Sequence, residues 1–194
     1  MTRQQLRNGA FALLLSAGVY TAQAQTDARV IAVPDDMPQE QQMTWKKKLP
    51  TDGWFMLRFK DRGDRTFNYT NKDYELCLWL NCSGGGEPGF HVEYSDNYRD
   101  GDFGGIDYIS SGNDNGNRAE FAVDGKKFGD PFAKGNPQMA AFKAALKSGK
   151  TLTLSVYDTE MDPETGKGVE KLNRAIDFKL AFNELLEKPV NCGG

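Results

Sequence analysis

Alternation of polar and apolar side chains over short segments constrains the fold of this chain more than any other feature. Residues 151–157 (TLTLSVY) alternate in this way, which is the pattern of a half-buried strand. Asp124-Gly125, a dipeptide that favours tight hairpin turns, separates two further apolar runs. Other runs rich in aromatic and aliphatic residues predict strands at 54–60, 65–70, 74–80, 90–94, 106–110, 119–123, 126–128 and 174–180. These segments predict a mainly antiparallel sheet or sandwich.

One packed α-helix is predicted before residue 150. Asn136 is a capping residue, Pro137 suits the first helical position, and Gly149 suits the position after the last turn. The apolar stripe of this helix consists of Met139, Phe142, Ala145 and Leu146. A second, short helix is predicted at 181–187, near the C-terminus. The expected fold class is therefore α+β, mainly antiparallel β with one packed α-helix and a short C-terminal helix.

The first 24 residues have the three parts of a secretory signal peptide. Arg3 and Arg7 supply the positive charge, residues 10–19 are apolar, and Ala22-Gln23-Ala24 is a small-x-small cleavage site. The apolar run is shorter than the roughly 20 residues that a membrane-spanning helix needs, so we expect no membrane anchor. We therefore expect export to a bacterial periplasm, with an extracellular location as the alternative.

The rest of the chain divides into two parts by composition. Residues 25–43 are polar and contain prolines, which predicts a flexible lead-in. Residues 44–194 have the composition of a single globular domain and contain no internal repeat. The predicted organisation is therefore a signal peptide at 1–24, a lead-in at 25–43 and one domain at 44–194.

Three cysteines, Cys77, Cys82 and Cys192, would enter an oxidising compartment on export, where a disulfide is expected. Cys77 lies in the strand predicted at 74–80, and five extended residues span about 16 Å. A disulfide requires Cα atoms about 4.4–6.8 Å apart, so Cys77 and Cys82 can pair only if the strand breaks before Cys82. We expect Cys192 to pair with Cys82, and Cys77 is the alternative partner.

Residues 93–117 (EYSDNYRDGDFGGIDYISSGNDNGN) form the most unusual segment, in which six acidic residues accompany one arginine. Tyrosines supply rigid contact area, and clustered carboxylates attract basic partners. We interpret the segment as a protein-binding surface, and a solvated connection between strands is the alternative. The residues predicted to contact the partner are Asp96, Tyr98, Asp100, Asp102, Phe103 and Asp107.

The same carboxylates suit two other chemistries. Asp100 and Asp102 have the D-x-D spacing of calcium ligands, and Asp96 and Asp107 are near. Paired carboxylates also hydrolyse glycosides when they lie roughly 5–9.5 Å apart. The full EF-hand spacing is absent, as are the motifs of serine hydrolases, zinc proteases and phosphate-binding loops. We expect no catalytic residues, no cofactor and no metal, with calcium binding or hydrolysis as alternatives.

The charge, the single histidine and one short motif bear on the remaining functional classes. The formal net charge is −3 and no basic stripe is present, so a nucleic-acid partner is not expected. His91 is the single histidine of the sequence, and strand alternation places it on the same face as Glu93. We expect an exposed histidine that pairs with Glu93. Arg62-Gly63-Asp64 lies in a predicted turn, where an adhesion receptor can reach such a triplet, although its residues are also common in turns.

The C-terminal half has a distinct order of segments. AEFAVDGKKF begins at residue 119, FKAALKSGK and TLTLSVYD follow, and DFKL precedes a last cysteine. This outline resembles exported bacterial proteins of the invasion-associated locus B type. The resemblance implies a small periplasmic or surface protein with no established catalytic residues. It bears on fold and compartment, because a fold alone does not fix a function.

These features predict a non-enzymatic periplasmic protein that binds another protein. We expect an immunity or inhibitor protein that neutralises a basic toxin or hydrolase acting in the same compartment. A surface or host-interaction protein of the invasion-associated locus B type is the alternative. A calcium-binding module or a hydrolase that uses the acidic segment is a second alternative.

Overall fold

The computed structural model describes residues 28–71, 74–93, 108–112 and 118–192 of the chain. Strands account for 46% and helices for 15% of the structure, and most neighbouring strands are antiparallel. The predicted fold class, α+β with mainly antiparallel β structure, is confirmed.

The described residues contain twelve strands, two α-helices and one 3-10 helix. The strands are β1 (Val30–Ala32), β2 (Trp54–Phe59), β3 (Gly63–Asn68), β4 (Glu75–Trp79), β5 (Cys82–Ser83), β6 (Gly89–Glu93), β7 (Tyr108–Ser110), β8 (Arg118–Val123), β9 (Lys126–Gly129), β10 (Thr151–Met161), β11 (Gly168–Lys179) and β12 (Val190–Asn191). The helices are α1 (Gln39–Lys46), α2 (Met139–Ser148) and the 3-10 helix (Asn183–Glu187).

The strands form two large sheets and one small sheet. The first sheet has the order β1-β2-β3-β4-β6-β7, the second has the order β11-β10-β8-β9, and β5 pairs with β12. Two of the pairs, β1 with β2 and β5 with β12, are parallel. The predicted hairpin between β8 and β9 turns at Asp124 and Gly125, which both have positive φ angles, 48° and 81°. Two successive positive φ angles are what a type I′ turn requires.

Both large sheets and helix α2 contribute to the main core. Alternate residues of β8 and β10, such as Phe121 and Leu154, are fully buried in it, as the sequence alternation predicts. Helix α2 inserts Phe142 and Leu146 into the same core. The rings of Phe121 and Phe142 lie 5.5 Å apart and meet edge to face. This core holds the second sheet and α2 against the first sheet.

A second, smaller core lies on the opposite face of the first sheet. Phe55 and Cys77 are among its buried strand residues, and Trp45 from α1 packs against them. Strand β1 lies beside β2, and its Ile31 contacts the same cluster. We predicted a flexible lead-in at 25–43, but the described part of this segment contains β1 and most of α1. The pairing of β1 with β2 and the packing of Ile31 and Trp45 on this face stabilise structure that the polar composition of the segment does not predict.

The two ends of α2 differ from the sequence prediction. The helix begins at Met139, and Asn136 instead accepts a hydrogen bond from the Gln138 N–H (2.8 Å) in the turn before it. Gly149 follows the helix as predicted, but its φ of −67° is not left-handed. A Cβ at this position would lie 2.4 Å from Cγ1 of Val123. Close approach to β8, and not backbone conformation, therefore requires glycine here.

A disulfide joins Cys82 to Cys192, with Cα atoms 5.3 Å apart, as the preferred pairing predicts. Cys77 is a free thiol buried in the smaller core, so the alternative pairing of Cys77 with Cys192 is wrong. The disulfide indicates that the chain folds in an oxidising compartment.

The remaining C-terminal elements are short. The helix predicted at 181–187 is present as the 3-10 helix Asn183–Glu187. Among the described residues, no helix is both long enough and apolar enough to cross a membrane.

Candidate functional site

The segment predicted to bind a partner connects two neighbouring strands at one edge of the first sheet. Strand β6 ends at Glu93 and β7 begins at Tyr108, and these strands are antiparallel neighbours. The predicted contact residues Asp96, Tyr98, Asp100, Asp102, Phe103 and Asp107 all lie outside the described residues. The described site therefore consists of the sheet residues at the two ends of this segment.

The strand register aligns Glu75, Glu93 and Tyr108 across three neighbouring strands. Glu75 of β4 is opposite Glu93 of β6, and Glu93 is opposite Tyr108 of β7. Residues directly opposite in antiparallel strands project from the same face of the sheet. We call these three residues the acidic row. Tyr108 is 45% exposed, which makes it one of the few large hydrophobic side chains exposed among the described residues.

Two glutamates directly opposite each other repel, because like charges at paired positions destabilise a sheet. Lys46 of helix α1 offsets part of this repulsion, since its Nζ lies 2.9 Å from Oε2 of Glu75. His91 lies beside Glu93, with Nε2 3.6 Å from Oε1. The neighbouring His91 side chain, and then the charge of Lys46, hold the pKa of Glu93 below its usual value despite partial burial. The Glu93 carboxylate is therefore ionised at neutral pH.

The predicted position of His91 is confirmed. It shares a face with Glu93, is partly exposed, and its ring lies 5.3 Å from the ring of Tyr108. Cys77 lies opposite His91 on β4, but it is buried, and burial raises the pKa of its thiol to about 12. A thiol that remains protonated at neutral pH is a poor nucleophile. The described arrangement attracts and hydrogen-bonds cations, and it does not provide an activated nucleophile.

Metal binding has no support from the described residues. They contain no group of three or more His, Cys, Asp or Glu side chains placed to hold a metal ion. The calcium alternative depends on Asp96, Asp100, Asp102 and Asp107, which lie outside the described residues. Calcium binding therefore stays a prediction.

The Arg62-Gly63-Asp64 triplet lies at the turn between β2 and β3, as predicted. Its aspartate is already engaged, because Arg58 donates two hydrogen bonds to the Asp64 carboxylate, at 2.8 and 2.9 Å. The Arg62 guanidinium lies over the ring of Phe59, 5.0 Å from its centre. A receptor that reads a free aspartate would have to break the Arg58 ion pair first.

A second charged cluster, absent from the sequence analysis, lies on β8, β10 and β11. Arg118 donates hydrogen bonds to Glu120 (2.7 Å) and Glu170 (2.9 Å), and the Tyr157 hydroxyl donates to Glu120 (3.1 Å). The Arg118 guanidinium holds the pKa of Glu120 below its usual value. Both carboxylates already accept hydrogen bonds from Arg118, so we interpret the cluster as a structural network.

His91 and Glu93 were predicted from the sequence, whereas Glu75 and Lys46 were not. Glu75 becomes part of the site only through its register with Glu93, and Lys46 only through the packing of α1. The sequence contained one indication of the position of Glu75. It is two residues from Cys77 in a predicted strand, so the two side chains lie on the same face of the sheet. The pairing of Glu75 with Glu93 depends on which strands are neighbours in the sheet, and a local sequence pattern does not contain that information.

We expect replacement of Glu93 by glutamine to weaken the acid dependence of stability. The folded-state pKa of Glu93 is lowered, so its contribution to stability is present above an unfolded-state pKa of about 4.3 and disappears as the pH falls through the lower folded value. The melting temperature, measured by circular dichroism from about pH 6 down to pH 3, should fall less in the variant than in the wild type. Glu87→Gln, at an exposed loop position, is the control. An unchanged slope in Glu93→Gln would contradict the role assigned to this carboxylate.

Searches against protein-family models, curated proteins and solved structures found no match for this chain. Its candidate site is therefore defined by its own residues, as the acidic row at the two ends of an acidic, tyrosine-containing segment.

Proposed function

We propose that this chain is an exported, non-enzymatic protein that binds a basic partner protein through residues 94–107 and the acidic row. The partner would be a toxin or hydrolase acting in the periplasm, which the chain neutralises as an immunity or inhibitor protein. The signal-peptide pattern and the disulfide between Cys82 and Cys192 support the compartment.

One observation carries the proposal: two glutamates are held opposite each other where the acidic segment meets the sheet. The pair places two carboxylates together with the single ammonium group of Lys46 beside them, and a locally negative surface of this kind suits a basic partner. The acidic row adds its carboxylates to those of Asp96, Asp100, Asp102 and Asp107 in the adjoining segment. A field of one sign speeds the association of an oppositely charged partner and excludes like-charged proteins.

The exposed phenol of Tyr108 supplies the second component of a protein contact. Tyrosine offers a large contact area with few rotatable bonds, so little conformational entropy is lost on binding. Tyr98 and Phe103 in the adjoining segment have the same property. Aromatic anchors surrounded by charge are typical of surfaces that bind proteins tightly.

The test compares capture of proteins from a periplasmic extract by the tagged mature chain and by two variants. We expect Asp100→Asn/Asp102→Asn/Asp107→Asn to bind the captured partner about tenfold more weakly, with an unchanged melting temperature. A matched control, Glu87→Gln/Glu160→Gln/Glu164→Gln, removes three exposed carboxylates elsewhere and should bind normally. The affinity difference should shrink at high salt, because screening weakens exposed charges.

Two results would contradict the proposal. Equal capture by the triple variant and the wild type would remove the acidic segment from the interface. Turnover of a cell-wall or lipid compound by the purified chain, abolished by changing one of these acids, would show an enzyme instead.

A further inference from the structure

A groove lies between the end of β1 and helix α1. Its volume is about 520 Å³, within the range of small-molecule sites. A smaller cavity of about 240 Å³ lies between α2 and the C-terminal 3-10 helix. Volume alone does not distinguish a binding site from a surface irregularity, but the polar groups of the two cavities differ.

The polar groups of the smaller cavity are engaged with the protein itself. Lys143 donates to the carbonyl oxygen of Leu80 (2.6 Å), Lys147 pairs with Glu187 (2.5 Å), and the Asn81 side chain donates to the Glu187 carbonyl oxygen. A ligand entering this cavity would have to replace bonds that already exist. The smaller cavity is therefore a poor candidate.

The polar groups of the groove are free within the described residues. Asp36, Glu40 and Gln41 line it and are exposed, and no described residue forms an ion pair or side-chain hydrogen bond with them. Thr44 and Lys48 also line the groove, are exposed, and have no side-chain hydrogen bond or ion pair with a described residue. The groove thus presents carboxylates, an amide, a hydroxyl and an ammonium group to whatever enters it.

Part of the groove lining is apolar. Pro34, Pro38 and the indole of Trp45 line it. Trp45 also packs against the smaller core, which fixes its ring, and it remains partly exposed toward the groove. A fixed aromatic surface beside free hydrogen-bonding groups suits a ligand that has both an apolar face and many hydroxyls.

We propose that this groove binds a short neutral oligosaccharide. The C–H face of a sugar ring packs on the indole, carboxylates and the Gln41 amide accept hydrogen bonds from its hydroxyls, and Lys48 and the amide donate to its oxygens. Two acids and one lysine line the groove, which disfavours phosphorylated or other anionic ligands. The groove shares no residue with the acidic row, so the inference does not depend on the proposed function.

The test is a titration of the mature chain with chitotriose and, separately, with maltotriose, followed by tryptophan fluorescence. Trp54 is fully buried, so a change in emission reports on Trp45 or Trp79, and Trp45→Phe distinguishes them. We expect saturable binding of at least one trisaccharide with a Kd of about 1 mM or lower. Glu40→Ala/Gln41→Ala should weaken it at least about tenfold. Both positions are exposed on α1, where alanine favours the helix, so the fold is retained.

Glu164→Ala, an exposed carboxylate in the turn between β10 and β11, is the control and should bind like the wild type. The proposal is overturned if neither trisaccharide binds at about 10 mM, or if Glu40→Ala/Gln41→Ala binds as well as the wild type. Saturation by a proline-rich peptide without saturation by either sugar would also overturn it. Partner capture through the acidic segment should be the same in the groove variant and the wild type, so failure of one proposal is distinguishable from failure of the other.

Discussion

Phe121→Ala is expected to lower the free energy of unfolding by about 3–5 kcal/mol. Phe121 is fully buried on β8, and three other aromatic rings surround it. The ring centres of Phe90, Phe132 and Phe142 lie 4.9, 5.4 and 5.5 Å from that of Phe121. Alanine would leave a cavity that neither sheet can close, because both are fixed by their own strand pairing.

Urea denaturation followed by circular dichroism measures this loss. Domains of this size have total stabilities of about 5–15 kcal/mol, so Phe121→Ala should shift the midpoint strongly or leave the chain largely unfolded. Leu172→Ala on β11 is the control, since Leu172 is 55% exposed and its truncation should change stability by about 0.5 kcal/mol or less. A loss below about 1 kcal/mol for Phe121→Ala would mean that the aromatic cluster is not the centre of the core.

Removal of the disulfide by Cys82→Ala/Cys192→Ala is expected to cost about 4–5 kcal/mol in the chain-entropy model. The two cysteines are 110 positions apart, so the bond restricts a very long loop of the unfolded chain. It also fastens β12 to β5, a pair of only two residues each that is joined by few backbone bonds. Loss of the bond should therefore free the C-terminal strand as well as destabilise the domain.

Denaturation of the double variant, and of the wild type with and without reductant, measures this effect. Both routes should lower the midpoint by the same amount. Cys77→Ala serves as the control, because that thiol is buried and forms no disulfide, so reductant should still destabilise this variant. Equal midpoints for the oxidised and reduced wild type would contradict a structural role for the bond.

Much of the fold follows from local patterns. Alternation at 151–157 predicts β10, and Asp124-Gly125 predicts the β8–β9 turn, because side-chain period and positive φ are properties of a few adjacent residues. Strand geometry argues against a bond between Cys77 and Cys82, and the position of Cys82 at the end of the strand favours it as the partner of Cys192. These features can be predicted without information about contacts between residues distant in sequence.

Features that depend on contacts distant in sequence were missed. Strand β1 is stabilised by its parallel pairing with β2. The sequence around it is polar, so a prediction from local sequence alone does not find this strand. Gly149 was explained by backbone freedom, whereas its neighbour Val123 sets the requirement. For the same reason, His91 and Glu93 on one strand were predicted, but Glu75 and Lys46 were not. The acidic segment itself was selected on composition, and its residues 94–107 and 113–117 lie outside the described residues.

The ion pair between Lys46 and Glu75 has a thermodynamic consequence for the two proposed ligands. Lys46 follows Trp45 directly, so one turn of helix contacts the groove through the indole and the first sheet through the ammonium group. A basic partner that competed with Lys46 for Glu75 would loosen that turn and change the affinity for sugar. Linkage makes such coupling reciprocal, and sugar would then alter the affinity for the partner by the same factor.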